Sequence, residues 1–309
     1  MFEGKKDLLG LKDLTADEIT KILDTAKTMK FIMSQKNKKT GHLLGKSVVT
    51  LFYENSTRTR LSFELAAKYM SAFASNVSAS GSSVAKGETL IDTARTIDVM
   101  GTDVIILRHG MSGSPHLIAQ NVEASVINAG DGMNEHPTQG LLDLYTIREK
   151  KGKIEGLKVA IVGDIAHSRV ARSNIWALTK MGSEVSVGAP STLMPSDIDK
   201  MGVDVYSSVQ EAIVDADVVM GLRIQLERQK SGLFPSTSEY SRFFGIDQKR
   251  LTLAKPDAML LHPGPVNRGV ELSSLAVDSK QSFIDEQVTN GVAVRMAVLY
   301  LYTRRGDDE

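Results

Sequence analysis

The sequence predicts an α/β protein: two doubly wound parallel-sheet domains joined by interdomain helices. Three observations predict it. Short β-branched runs alternate with amphipathic helical segments along nearly the whole chain, the pattern of repeated β-α-β units. The alternation restarts once, after a helix whose end, Lys150-Lys151-Gly152, puts cations in the last turn and a glycine stop behind them. Finally, 309 residues exceed what one hydrophobic core usually serves.

Taken in order, Thr15-Ala16-Asp17-Glu18 is a capping box, and Ile19, Ile22, Leu23, Ala26 and Met29 continue it as an amphipathic helix. Residues 47–53 are β-branched and aromatic, a buried strand. A helix follows over 57–70, capped by Asn55 or Ser56, with Leu61, Leu65 and Tyr69 as its apolar face. A short strand near 73–77 leads into 78–87, a polar, glycine-containing stretch whose length marks a functional loop. Helix 88–100, strand 104–107, helix 115–122 and strand 125–128 complete the first series. Pro137 then opens helix 137–151 at the favoured first position. The second series has strand 157–162, helix 169–181 and strands near 185–188, 203–206, 218–220 and 259–261. Residues 225–245 read as a mobile loop. A last helix spans 284–304, with Val288, Val292, Met296 and Leu299 on one face. The expected domains are 1–138 plus 291–309, and 139–290, with 137–151 as the linking helix. Trp176 and the 13 methionines are assigned to packing.

Composition narrows the function. The 37 basic and 37 acidic side chains cancel, so no overall field draws the chain to nucleic acid or membrane. An anion site must be a local cluster. With no cysteine, thiolate metal sites and cysteine nucleophiles are excluded. No apolar run is long enough for a signal peptide or a membrane span, and a cytoplasmic location is expected.

In open parallel sheets, ligands bind at the carboxyl ends of strands. Arg58, Arg108, His136, the segment 163–169, Arg223 and His262-Pro263-Gly264-Pro265 all follow predicted strands or lie in the loops beyond them. Around Asn55-Ser56-Thr57-Arg58-Thr59-Arg60, free first-turn N–H groups and the positive end of the helix dipole make a seat for an anion. Strand, cap and helix alone fit an ordinary capped helix equally well. Three hydroxyls interleaved with two arginines favour phosphate.

Ser56-Thr57-Arg58-Thr59-Arg60 after a strand also resembles the carbamoyl phosphate signature of the aspartate and ornithine carbamoyltransferases, and six motifs in family order extend the resemblance over nearly the whole chain. It implies that Ser56, Thr57, Arg58 and Thr59 bind carbamoyl phosphate, with Arg108, His136 and Gln139 around the carbamoyl group. The carbonyls of Pro263 and Gly264 would hold the carbamoyl amide. Leucine is common in the family at position 264, and glycine there is expected to loosen the turn. Ser82 and Lys86 match the loop that reaches into a neighbouring subunit's site. Arg169, Arg223 and Gln225 match the residues that hold the aspartate carboxylates. Lys86 and Arg223-Ile224-Gln225 place the chain on the aspartate branch, and no Ser-Met-Gly ornithine loop occurs. His109, His116 and His167 match nothing and read as surface or packing residues.

The implied reaction is carbamoyl transfer from carbamoyl phosphate to the amino group of L-aspartate, an early step of pyrimidine synthesis. Ornithine carbamoyl transfer is the alternative. The catalytic set is Arg58, Thr59, Lys86, Arg108 and His136. No metal or organic cofactor is expected. A homotrimer with shared sites is implied, domain closure would complete each site, and nothing in the sequence specifies a regulatory chain. Val159-Ala160-Ile161-Val162-Gly163-Asp164 resembles a dinucleotide-binding strand, but the turn after it lacks Gly-x-Gly-x-x-Gly. A non-catalytic scaffold is disfavoured by the intact set of basic residues.

Overall fold

The computed structural model describes residues 5–78, 87–224 and 236–303. The chain forms two compact units, Met1–Leu142 with Val288–Glu309, and Asp143–Gln287. The divisions fall inside helices, at 142/143 and 287/288.

The first unit holds α1 (Ala16–Ser34), β1 (Ser47–Phe52), α2 (Thr57–Tyr69), β2 (Phe73–Ser78), α3 (Leu90–Val99), β3 (Val104–His109), α4 (Ser114–Ala119) and β4 (Ser125–Asp131). The chain passes to the second unit within α5 (Pro137–Lys151) and returns within α11 (Ile284–Thr303). Between them lie β5 (Lys158–Val162), α6 (Arg169–Lys180), β6 (Glu184–Gly188), β7 (Asp204–Tyr206), α7 (Val209–Ile213), β8 (Val218–Gly221), α8 (Thr237–Phe244), α9 (Gln248–Leu251), β9 (Met259–Leu261) and α10 (Ser274–Val277).

Both sheets are parallel. Their strand orders among the described residues are β2-β1-β3-β4 and β7-β6-β5-β8-β9. Each sheet therefore reverses its winding once, between β1 and β3 in the first and between β5 and β8 in the second. Val49, Leu51, Ile105, Leu107 and Val126 pack with Ala94, Ile97 and Ile118 from the helices to form a core of the first unit. Ala160, Val162, Val219 and Leu260 pack with Val209, Ile213, Leu251 and Leu272 in the second.

Local signals are realised closely at α1, where Thr15 and Glu18 form the reciprocal capping box and all five expected apolar positions are buried. Four expectations change. In α2 the buried face is Thr59, Ser62, Phe63, Ala66 and Ala67, while Leu61 is 51% exposed. Spacing by four identifies a helix but leaves its rotation open, and here the small residues face inward. The Arg295 guanidinium lies over the Phe63 ring at 5.1 Å and donates to Ser62 Oγ at 2.9 Å. In α11 every residue from Asn290 to Leu299 is buried, whereas Val288 is exposed. A helix covered on several sides has no single apolar stripe. Part of the expected loop at 225–245 is α8, whose Ser236 cap accepts from Glu239 N–H and whose Tyr240 is buried against Phe244. Its Ser-x-x-Glu start was a legible helix signal; residues 225–235 lie outside the described residues. Finally, Met100, Met111 and Met133 are exposed and Trp176 is half-buried, so packing does not account for all of them.

Candidate active site

In the first unit, the loops leaving β1 and β3 sit at the point where the winding reverses, where a parallel sheet opens a crevice. Phe52 pairs with Arg108 in register, and Tyr53 N–H donates to the Arg108 carbonyl at 2.9 Å. This joins the segment before Ser56 to the end of β3. Ser56 caps α2 by position only, with no side-chain bond to the first turn. The earliest intrahelical bond runs from Arg60 N–H to the Ser56 carbonyl, so the N–H groups of Thr57, Arg58 and Thr59 precede the helical ladder. Thr57 and Arg58 are exposed and Thr59 is buried.

Arg108 sits where the β3–β4 register shifts: Leu107 faces Asn128, but His109 faces Asp131. Such an irregularity re-aims a side chain. Gly130 has φ of 116°, which favours glycine, and its N–H donates to Asn128 Oδ1 at 2.8 Å. The Arg108 guanidinium donates to the Ala129 carbonyl at 3.1 Å and lies 3.5 Å from Glu54. His136, buried, precedes Pro137 at the start of α5, and its carbonyl accepts from Gln139 N–H.

Sequence reasoning missed the polar network beneath these residues. Asp131 is fully buried and accepts from the N–H groups of Gly113 and Glu135 and from the amides of Asn128 and Asn134. Glu135, also buried, accepts from Leu11 N–H at 2.7 Å and Lys12 N–H at 3.2 Å, clamping the N-terminal segment beside His136. Glu135→Ala is expected to lower stability by about 1–3 kcal/mol, because two amide donors lose their acceptor. Denaturant unfolding measures this, and equal midpoints would contradict the clamp. Burial lowers the His109 pKa, against the pull of Glu54 and Asp131. Its Nδ1 accepts from Met111 N–H, so this histidine serves the turn after β3.

In the second unit the winding reverses between β5 and β8. Gly163, after β5, has φ of 131°, and a Cβ there would stand 2.9 Å from the Leu222 carbonyl. Only glycine lets the loop after β8 approach this closely. Leu222 N–H donates to the Val162 carbonyl at 2.7 Å, fixing the residue before half-buried Arg223. His167 donates its main-chain N–H to Asp164 Oδ1 and holds its ring Nδ1 2.8 Å from the same oxygen, shaping the turn before α6. Ser168 caps α6 by accepting from Ala171 N–H, and Arg169 is buried in the first turn.

The loop after β9 has a specific chemistry. His262 N–H donates to Gln287 Oε1 at 2.9 Å, and Gly264 N–H donates to His262 Nδ1 at 2.8 Å. Pro263 and Pro265 have no N–H. Every main-chain donor from 262 to 265 is thus absent or internally used, and what the loop offers is carbonyl oxygen. Gly264 has φ of 65°. Glycine meets the left-handed backbone of this turn without strain, where leucine would carry it.

The first unit thus gathers Ser56, Thr57, Arg58, Thr59, Arg108, His136 and Gln139 at one sheet's carboxyl end. The second gathers Arg169, Arg223, Pro263 and Gly264 at the other's. Ser82, Lys86 and Gln225 lie outside the described residues. Among the described residues, no three His, Asp or Glu side chains are grouped to hold a metal ion, and no helix is long and apolar enough to cross a membrane.

Comparison with known proteins matches residues 6–149 to the carbamoyl-P binding domain of aspartate/ornithine carbamoyltransferases and residues 155–302 to their Asp/Orn binding domain. The aspartate carbamoyltransferase catalytic subunit of Acetivibrio thermocellus is 74% identical over 309 residues, covering all of this chain and 99% of the relative. That of Ruminiclostridium cellulolyticum is 74% identical over 301 residues, covering 97% and 96%. Among solved structures, aspartate transcarbamoylase from Trypanosoma cruzi with carbamoyl phosphate and aspartate superposes with a TM-score of 0.86 at 30% identity, covering 96% of each chain. Ornithine carbamoyltransferase from Pyrococcus furiosus gives 0.85 at 33%, covering 96% and 97%.

Proposed function

The chain belongs to the aspartate/ornithine carbamoyltransferase family, and from that premise we propose how its residues divide the work. It transfers the carbamoyl group of carbamoyl phosphate to the amino group of L-aspartate, giving N-carbamoyl-L-aspartate and phosphate, a step toward pyrimidines. The fold fits both branches equally, with TM-scores of 0.86 and 0.85. The observation that carries the aspartate assignment is the 74% identity, along the entire chain, to a catalytic subunit of that name.

Ser56, Thr57, Arg58 and the first-turn N–H groups of α2 seat the phosphate. Thr59, Arg108 and His136 donate to the carbonyl oxygen as it gains negative charge, and Gln139 lies beside the carbamoyl group. Removing one such donor typically costs about 10²–10³ in turnover. The donor-free loop at 262–265 suits the carbamoyl NH₂, which has protons to give, and the carbonyls of Pro263 and Gly264 accept them. Arg169, Arg223 and Gln225 hold the two carboxylates of aspartate. The amine nitrogen attacks the carbamoyl carbon, the bond from that carbon to the phosphate oxygen breaks, and the departing phosphate takes the amine proton. The working assembly is a homotrimer in which Ser82 and Lys86 act in the neighbour's site.

One assay with aspartate and ornithine offered in parallel tests the reaction. Aspartate alone is expected to be carbamoylated, and preferred turnover of ornithine would overturn the assignment. The phosphate seat has its own test. Inorganic phosphate at 100 times its Kd is expected to stabilise the protein by about 2.7 kcal/mol, read as a rise in Tm. Arg58→Ala is expected to lose most of that rise, and equal shifts in both proteins would remove Arg58 from the seat.

A further inference from the structure

The acceptor character of the 262–265 loop depends on Gln287, far along the chain in α11. Its Oε1 takes the His262 N–H at 2.9 Å, and its Nε2 donates to Asp143 Oδ1 at 2.7 Å. Asp143 Oδ2 in turn accepts from Asn174 Nδ2 at 2.8 Å, in α6, the helix that begins at Arg169. All four side chains are buried: His262 1%, Gln287 3%, Asp143 0% and Asn174 0% exposed. Asp143 and Gln287 are also the residues at which the chain enters and leaves the second unit.

A neutral amide such as Gln287 can turn either end toward a partner. Its orientation decides whether the His262 N–H is satisfied, and the buried Asp143 carboxylate fixes it by accepting from the NH₂ end. With Gln287 held, the His262 N–H is consumed, the His262 ring, 3.3 Å from buried Glu271, accepts from Gly264 N–H, and no main-chain donor of the loop is left to compete with its carbonyls. We propose that Gln287 and Asp143 are positioning residues for carbamoyl recognition. Together they orient the 262–265 carbonyls, and through Asn174 they tie that loop to the helix bearing Arg169. The proposal rests on the reading of Pro263 and Gly264 as the carbamoyl amide's acceptors.

Binding of carbamoyl phosphate against inorganic phosphate isolates this effect, because the two ligands share the phosphate and differ in the carbamoyl group. Calorimetric titration of the intact protein is expected to show wild type preferring carbamoyl phosphate. A wild type without that preference would refute the carbamoyl reading of the loop itself, separately from the role of Gln287. Gln287→Ala is expected to shrink the preference by about five- to tenfold, the value of a lost hydrogen bond to the aiming network, with phosphate affinity unchanged. A merely structural residue would weaken both ligands alike.

A swap covers the case in which Gln287→Ala does not fold. Gln287→Glu alone sets two carboxylates against each other, and Asp143→Asn alone loses an acceptor oxygen. Combined, the new carboxylate at 287 accepts from His262 N–H and from the new amide at 143, whose oxygen still accepts from Asn174. The double variant is expected to regain most of the preference that each single variant loses. Wild-type preference in Gln287→Ala, or a double variant no better than the weaker single one, would overturn the proposal.

Discussion

Arg223→Ala is expected to raise the KM for aspartate by roughly 30- to several-thousand-fold, the equivalent of about 2–5 kcal/mol for truncating one partner of a desolvated ion pair. Carbamoyl phosphate binding is expected to survive, since the proposed phosphate seat lies in the first unit, which matches the family's carbamoyl-P binding domain. The magnitude follows from placement. Arg223 leaves β8 directly beside the winding reversal, and Leu222 is pinned by the Val162 carbonyl and the close pass of Gly163. A guanidinium on so fixed a backbone loses little freedom when it closes on a carboxylate. Arg223→Lys keeps the charge without the planar fork and is expected to fall between. Steady-state kinetics with aspartate varied decide the point, and an unchanged aspartate KM in Arg223→Ala would remove the second unit from substrate binding as described.

Arg58→Ala and Lys86→Ala are each expected to leave almost no activity, yet mixtures of the two are expected to recover it. If Lys86 serves the neighbouring site, a competent site needs an intact Arg58 on one chain and an intact Lys86 on the next. Random reassembly in a cyclic trimer then gives ~1/4 of sites both groups. Dissociation, equal mixing and reassembly, with hybrids counted by native mass spectrometry, give the measurement. Sites contained in one chain recover nothing, because every chain carries one lesion. Confirmed hybrids without regained activity would therefore refute the shared site.

Much of the molecule is written in local pattern. The capping box at Thr15, the inward face of α1, the alternation of strands and helices and the Ser-Thr-Arg-Thr-Arg segment depend on residues within a few positions of one another. The sequence therefore determined the elements and the residue types that carry the chemistry. The partners that aim those residues were decided only in the folded chain. Strand order sets the winding reversals beside Arg108 and Arg223, and order is a property of pairing between distant segments. The face α2 turns inward depends on the sheet and on Arg295, 233 residues from Ser62. Nothing near Asp143 distinguishes it from a solvated helix carboxylate, because its partner Gln287 stands 144 positions away. Burying a polar group is costly unless a partner meets it, and for Asp143 and Glu135 those partners stand more than a hundred positions away, at Gln287 and at Leu11 and Lys12.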